Sequence, residues 1–196
     1  MKKSTKKITT CAALAVCAAA ALTFAAFAAD YASAPSFSDT PSQSTGVTSG
    51  VLNSAIDDAK ENEDGVPVAV IEAASTDNIT LSATVMKKLA EKKDVILSIR
   101  TDEVILEIDG YSVENTKKVN LSMDVENTSK KTVIKFASST DFGCEVKVIV
   151  LNCKLSADKL EEAHVYCGGE DLGYVEINDD GNPVITVTAG GKYEIR

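Results

Sequence analysis

Five residue sets could carry chemistry. Cys144, Cys153 and Cys167 could bond each other or bind metal; His164 could move a proton. The carboxylates, 29 Asp and Glu in 196 residues, could pair for general acid–base work. Asn178-Asp179-Asp180-Gly181-Asn182 offers oxygens to a cation, and Tyr111 and Tyr174 offer rings to a sugar.

Each is weighed against a plainer account. The cysteines have no CxxC spacing and only one histidine to join them, which is poor for a zinc site. An odd count leaves at least one thiol unpaired or bonded to another chain. One disulfide among the three and three free thiols both remain open. His164 shares a strand face with Tyr166, and no Ser or Cys motif marks a nucleophile. A catalytic carboxylate pair needs opposed environments, whereas these acids fall on the polar sides of strands and helices. Asn178–Asn182 lacks the alternating ligands and distal Glu of an EF-hand loop. Asp-Gly between alternating strands is a hairpin turn first. Sugar platforms use exposed aromatic rings; there is no Trp, and Tyr111 and Tyr174 are the two ligand-contact candidates. These residues imply no catalytic group, no cofactor and no metal.

The elements that must hold these residues begin after a leader. Lys2, Lys3, Lys6 and Lys7 precede an apolar run from Ile8 to Phe27, and Ala26-Phe27-Ala28 suits a signal peptidase. A secretory signal over residues 1–28, cleaved after Ala28, is expected. The rival is a retained anchor, since the run is nearly long enough to span a bilayer. A lipobox at Leu14-Ala15-Val16-Cys17 is rejected because Val16 is bulky and the run continues. Cleavage removes Cys11, Cys17 and four lysines but no acid, leaving 16 basic against 29 acidic residues, a formal charge of −13. That disfavours nucleic acid and anionic lipid as partners, and fits an extracellular protein. Outside the cytoplasm a disulfide is permitted.

Residues 29–50 are rich in Ser, Thr, Pro and Gly and read as a linker. A single β-rich domain follows over residues 51–196. Ser49 is expected to cap a first helix carrying Leu52, Ala55, Ile56 and Ala59 and ending at Asn62 to Gly65. Val66 to Ala73 reads as a strand, with Pro67 at its start. Ser82 caps a second helix presenting Val85, Met86, Leu89 and Ala90. The period then changes from about 3.6 to 2. Val95 to Arg100 and Val104 to Ile108 read as a hairpin closed by Asp109-Gly110. The cleanest alternation is Val119 to Glu126, read as one strand. Thr132 to Ala137 and Cys144 to Leu151 follow, the latter apolar on both sides at its end and therefore central. Ser156 to Ala163 is a helical turn or a crossover. His164 to Cys167 precedes a Gly168-Gly169 turn. Leu172 to Ile177 is expected to pair with Val184 to Thr188, and Tyr193 to Ile195 is the last strand. About ten strands and two short helices make the fold α+β, mainly antiparallel β and sandwich-like.

Leu81-Ser82 before a Met86/Leu89 helix, then a hairpin ending Ile108-Asp109-Gly110, resembles a repeat-type module of secreted Gram-positive surface proteins. So do the Asp179-Asp180-Gly181-Asn182 turn and the final Tyr193. The resemblance covers Val51 to Arg196. It implies a β-rich appendage of an extracellular protein with no established activity. The sequence departs from that pattern at Val165-Tyr166-Cys167, at Ala189-Gly190-Gly191-Lys192 and at Leu106 or Glu107. Neither a dockerin nor a surface-layer repeat accompanies it. The expectation is a secreted, non-catalytic cell-surface module, structural or protein-binding, free of the membrane once cleaved. The alternative is a binding module for wall or dietary polysaccharide; an uncharacterised secreted hydrolase comes third.

Overall fold

Two alternating runs separated by Thr101-Asp102-Glu103 form the hairpin at the centre of the molecule. The computed structural model describes residues 48–196. The expected signal and almost all of the linker lie outside the described residues. The described residues belong to one compact unit spanning residues 44–196.

The chain begins with α1 (Ser49–Asp57), then β1 (Lys60–Glu61), β2 (Pro67–Glu72), β3 (Thr80–Leu81) and α2 (Ala83–Glu91). The hairpin is β4 (Ile96–Arg100) and β5 (Val104–Asp109), followed by one turn of 3-10 helix, Gly110–Ser112. Next come β6 (Val119–Asn120), β7 (Met123–Asn127), β8 (Thr132–Phe136) and β9 (Asp141–Val150). A short α3 (Ala157–Glu161) leads to β10 (His164–Cys167), β11 (Glu170–Tyr174), β12 (Glu176–Ile177), β13 (Pro183–Ala189) and β14 (Lys192–Ile195).

Seven strands form one sheet in the order β1-β2-β4-β5-β9-β13-β12, and five form a second, β11-β10-β14-β8-β7. Strands β3 and β6 make a two-stranded ribbon. Every pair is antiparallel except β2 and β4. Those two are parallel because the chain between them crosses over through β3 and α2, as a parallel pair requires. The fold is thus α+β, mainly antiparallel and sandwich-like. The central place expected for Cys144–Leu151 holds, since β9 lies between β5 and β13.

Strand alternation sends Leu97, Ile99, Leu106, Ile108, Val146 and Val148 to one face of the large sheet, where all are buried. They share one core with Leu52 and Ile56 of α1, with Val85, Met86 and Leu89 of α2, and with Ile134, Phe136, Val165, Tyr193 and Ile195 of the small sheet. Burying each large aliphatic side chain is worth about 1.5–3 kcal/mol. Helix α1 packs on α2 and β2. Asp57 of α1 holds Lys88 and Lys92 of α2 by ion pairs. Those two ammonium groups, Lys88 first, hold the Asp57 carboxyl below its ordinary pKa.

Four expectations are corrected. The cap of α1 is Thr48, whose side chain accepts from the Val51 amide, so the folded body starts within the expected linker. The helix stops at Asp57, and Lys60–Glu61 pairs with β2 instead. Asn62 explains the turn between them: its Oδ1 accepts from the Asp64 and Val66 amides, and Gly65 takes a φ of 75°. The run Val119 to Glu126 is not one strand. It breaks at Leu121-Ser122, with β6 in the ribbon and β7 in the small sheet. Likewise Leu172 to Ile177 is cut at Val175: β11 pairs with β10, and only Glu176–Ile177 pairs with β13. These two splits, with β1 added, raise the count from about ten to fourteen.

Candidate functional site

The end of β5 meets the start of β9 at an open cleft of about 610 Å³. Asp109 builds its first wall. Its Oδ1 accepts the Tyr111 amide at 2.9 Å, which starts the 3-10 turn. Gly110 lets this turn press on the end of α2: a Cβ there would lie 2.6 Å from the Lys92 carbonyl oxygen and 2.7 Å from that of Leu89. With Gly110 buried, the Tyr111 ring is thrown outward, 71 % exposed. Ser112 Oγ donates to the Asp109 carbonyl at 2.8 Å and accepts the Glu145 amide at 3.2 Å, joining the turn to β9.

The second wall is a bend at the start of β9. Asp141 Oδ1 accepts the Gly143 amide at 2.7 Å. The Gly143 carbonyl takes the amides of Glu114 and Asn115, at 2.8 and 3.1 Å. Gly143 has a φ of +64°, and a Cβ on it would come within 2.4 Å of the Asn115 Cβ. Only glycine serves there, on both counts.

Asp109, Glu114, Asp141 and Glu145 therefore line one cleft. Four acids do converge here, although polar-face placement alone was expected to scatter them. All four residues are exposed. Water solvates their charge, and two already use an oxygen to hold a turn. Cys144 lines the cleft from the buried side. Burial, with a smaller push from the Asp141 charge, raises its thiol pKa to about 11. It is a protonated core thiol at neutral pH rather than a nucleophile.

Tyr174 stands apart from this cleft, at the end of the edge strand β11, and is also 71 % exposed. Its ring lies 4.1 Å from that of His164 on β10, centroid to centroid. His164 Nδ1 is 2.9 Å from both carboxylate oxygens of Asp171. The His164 hydrogen bond, followed by the Gly173 amide, holds the Asp171 carboxyl below its ordinary range. His164 is thus half-buried and paired, where an exposed strand histidine was expected. The Gly168-Gly169 turn was the available signal: it folds β11 back on β10 and sets His164 opposite Tyr174.

Cys144, Cys153 and Cys167 are all free thiols. Cys153 is 3.4 Å from the Thr132 hydroxyl. The Asn178–Asn182 segment is the expected hairpin turn: Asn178 Oδ1 accepts the Asn182 amide at 2.8 Å, and Gly181 has a φ of 79°. Among the described residues no three His, Cys, Asp or Glu side chains are grouped to hold a metal ion. Nor is any described helix long and apolar enough to cross a membrane.

No family model, curated protein or solved structure matches this chain. The likeness to the Gram-positive surface module rests only on the residues that suggested it.

Proposed function

We propose that the chain is exported and acts outside the cell as a non-catalytic module, structural or protein-binding. One observation carries this reading. In the cleft between β5 and β9 the groups that could do chemistry serve the backbone or stand in water. Asp109 and Asp141 cap turns, Glu114 and Glu145 are exposed, and burial keeps the Cys144 thiol protonated. General acid–base work needs a carboxyl whose pKa is moved towards the working pH. The shifted carboxyls here, Asp57, Asp171 and Glu194, all move down and away from it.

The test is a hydrolase screen of the exported chain with Asp141→Asn and Glu145→Gln as companions. No turnover above background is expected. Turnover abolished by either substitution would overturn the reading. Export is checked by sequencing the N-terminus of the protein from culture medium, which should begin at Ala29.

A second reading, binding of polysaccharide, is favoured by the two rings that stand most clear of the surface, Tyr111 and Tyr174.

A further inference from the structure

We propose that the outward face of the large sheet binds a second copy of this chain, making a symmetric dimer with the two sheets packed face to face. This goes beyond the non-catalytic reading and stands whether or not that reading does.

The two sheets differ in what they turn outward. The small sheet presents mainly polar residues, among them Glu126, Lys135, Tyr166, Lys192 and Glu194. The large sheet sends Leu97, Leu106 and Val148 to the core, yet the positions that alternate with its core residues are also aliphatic. They include Val70, Ile96, Ile105, Ile149 and Val184. Neighbouring strands therefore carry unbroken apolar runs, such as Val104-Ile105-Leu106 and Val148-Ile149-Val150. Runs of that kind mark strands buried on both faces. The helices and the small sheet pack on the core face only. Even so, Ile149 and Val184 are buried outside that core, and Val70, Ile96 and Ile105 are half-buried. Ser98, between Val70 and Glu107 on the outward face, is 1 % exposed, and among the described residues its Oγ has no hydrogen-bond partner. Leaving a buried hydroxyl unpaired is costly.

The arrangement of charge points to a second copy. Lys60, Arg100 and Lys147 share this face with Glu72, Glu107, Asp109, Glu145 and Glu176. Three cations against five acids give −2, so the sum selects no strongly charged partner, and the placement of signs decides. A twofold axis parallel to the strands, between β5 and β9, lays β5 of each copy over β9 of the other. Register then sets Ile105 against Ile149 of the second copy, and Glu107 against Lys147 of the second copy. Each contact occurs twice. Within one chain Glu107 and Lys147 are cross-strand neighbours, but among the described residues they make no ion pair. Aligned sheets pack about 10 Å apart, a gap these two long side chains can span. Ser98 falls opposite Thr186 of the second copy, close enough to share a water. Asp109 falls opposite Glu145, but both are exposed at the rim, where salt screens them.

Five strands, each contributing five residues, span roughly 24 by 17 Å, or about 400 Å² per copy. Two copies cover about 800 Å² of flat footprint, the lower end of specific interfaces once side-chain relief is added, so Kd is on the order of 10 μM.

The experiment is sedimentation velocity on the exported chain from micromolar to millimolar concentration. A monomer–dimer equilibrium is expected. Glu107→Lys and Lys147→Glu should each weaken the dimer about tenfold, since each sets like charges opposite one another. Mixed one to one, the two variants should associate as tightly as the unaltered chain, because each meets the opposite sign on the other. Contacts within one chain cannot produce that rescue. Ile105→Thr should also weaken the dimer about tenfold, and Leu172→Lys on the β11 edge should change nothing. Three results would overturn the proposal. One is a monomer at millimolar concentration, which leaves the face to residues 29–47 or to another protein. The second is no gain on mixing the two variants. The third is a dimer lost with Leu172→Lys and kept with Ile105→Thr. Turnover in the hydrolase screen would instead sink the non-catalytic reading and leave the dimer standing.

Discussion

Tyr111 and Tyr174 are equally exposed, yet their surroundings have opposite character. Tyr111 rises from a 3-10 turn beside four carboxylates, two of which, Asp109 and Asp141, accept backbone amides. Tyr174 lies on an edge strand against the ring of His164, which is itself paired with Asp171. Exposure alone therefore does not distinguish the two rings; the groups packed around each do.

The largest test strikes what the two places share. Gly190 joins β13 of the large sheet to β14 of the small one. There it crosses the link from β8 to β9, and its amide donates to the Thr140 carbonyl at 2.9 Å. A Cβ on Gly190 would fall 1.7 Å from the Ser138 carbonyl oxygen. Gly190→Ala must push the two crossings apart, at a cost of roughly 3 kcal/mol. Chemical denaturation should show the loss, and both tyrosine environments should change together. An unchanged midpoint would mean the two sheets are not tied at this crossing.

Gly110→Ala comes next and should separate the two places. Its Cβ meets the Leu89 and Lys92 carbonyls less closely, so the expected loss is roughly 2 kcal/mol. Amide shifts should cluster at Tyr111, Ser112 and Glu145 and spare His164 and Tyr174. Shifts spread evenly over both would contradict the independence of the two regions.

Local chemistry was legible in the sequence; the choice of sheet was not. The β4–β5 hairpin, the Ser82 cap and the Asn178–Asn182 turn follow from residues close in the chain. The Val119–Glu126 run carried the clearest alternation and still split. Asn120 Oδ1 accepts the Ser122 amide at 3.0 Å, and Ser122 Oγ accepts the amide of Ile79, 43 residues away, also at 3.0 Å. Leu121, Ser122 and Met123 are buried in succession, which alternation cannot express. The cleft was half legible. Asp109 and Tyr111 are two residues apart in sequence, but Asp141 and Glu145 arrive only because β9 lies beside β5. At the other tyrosine, the Gly168-Gly169 turn and one bulge carry His164 to Asp171.

A smaller effect distinguishes the cysteines under the two regions. Cys144 lies buried beneath the cleft with its pKa raised to about 11, whereas Cys167, next to Tyr166, is half-buried. At mildly alkaline pH iodoacetamide should label Cys167 well before Cys144, read by peptide mass spectrometry. Equal rates would mean that the start of β9 opens as readily as β10. Near the same strands, Tyr193→Phe removes a hydroxyl that donates to the Ala189 carbonyl at 2.7 Å. The expected loss is about 1 kcal/mol.

The smallest expected effect concerns protons. Asp171 has a carboxyl pKa held below its ordinary value of 3.8, first by His164 and then by the Gly173 amide. A carboxyl depressed on folding contributes stability above its unfolded pKa and loses it as pH falls through the folded one. Asp171→Asn should therefore lower the Tm slightly near neutral pH, and the gap should close as pH falls below the ordinary carboxylate range. The group is exposed, so water screens most of the effect. At the cleft, Asp109→Asn keeps an oxygen able to accept the Tyr111 amide and should leave the Tm unchanged. A pH-dependent gap at Asp109 but none at Asp171 would place the charge-sensitive contact at the wrong tyrosine.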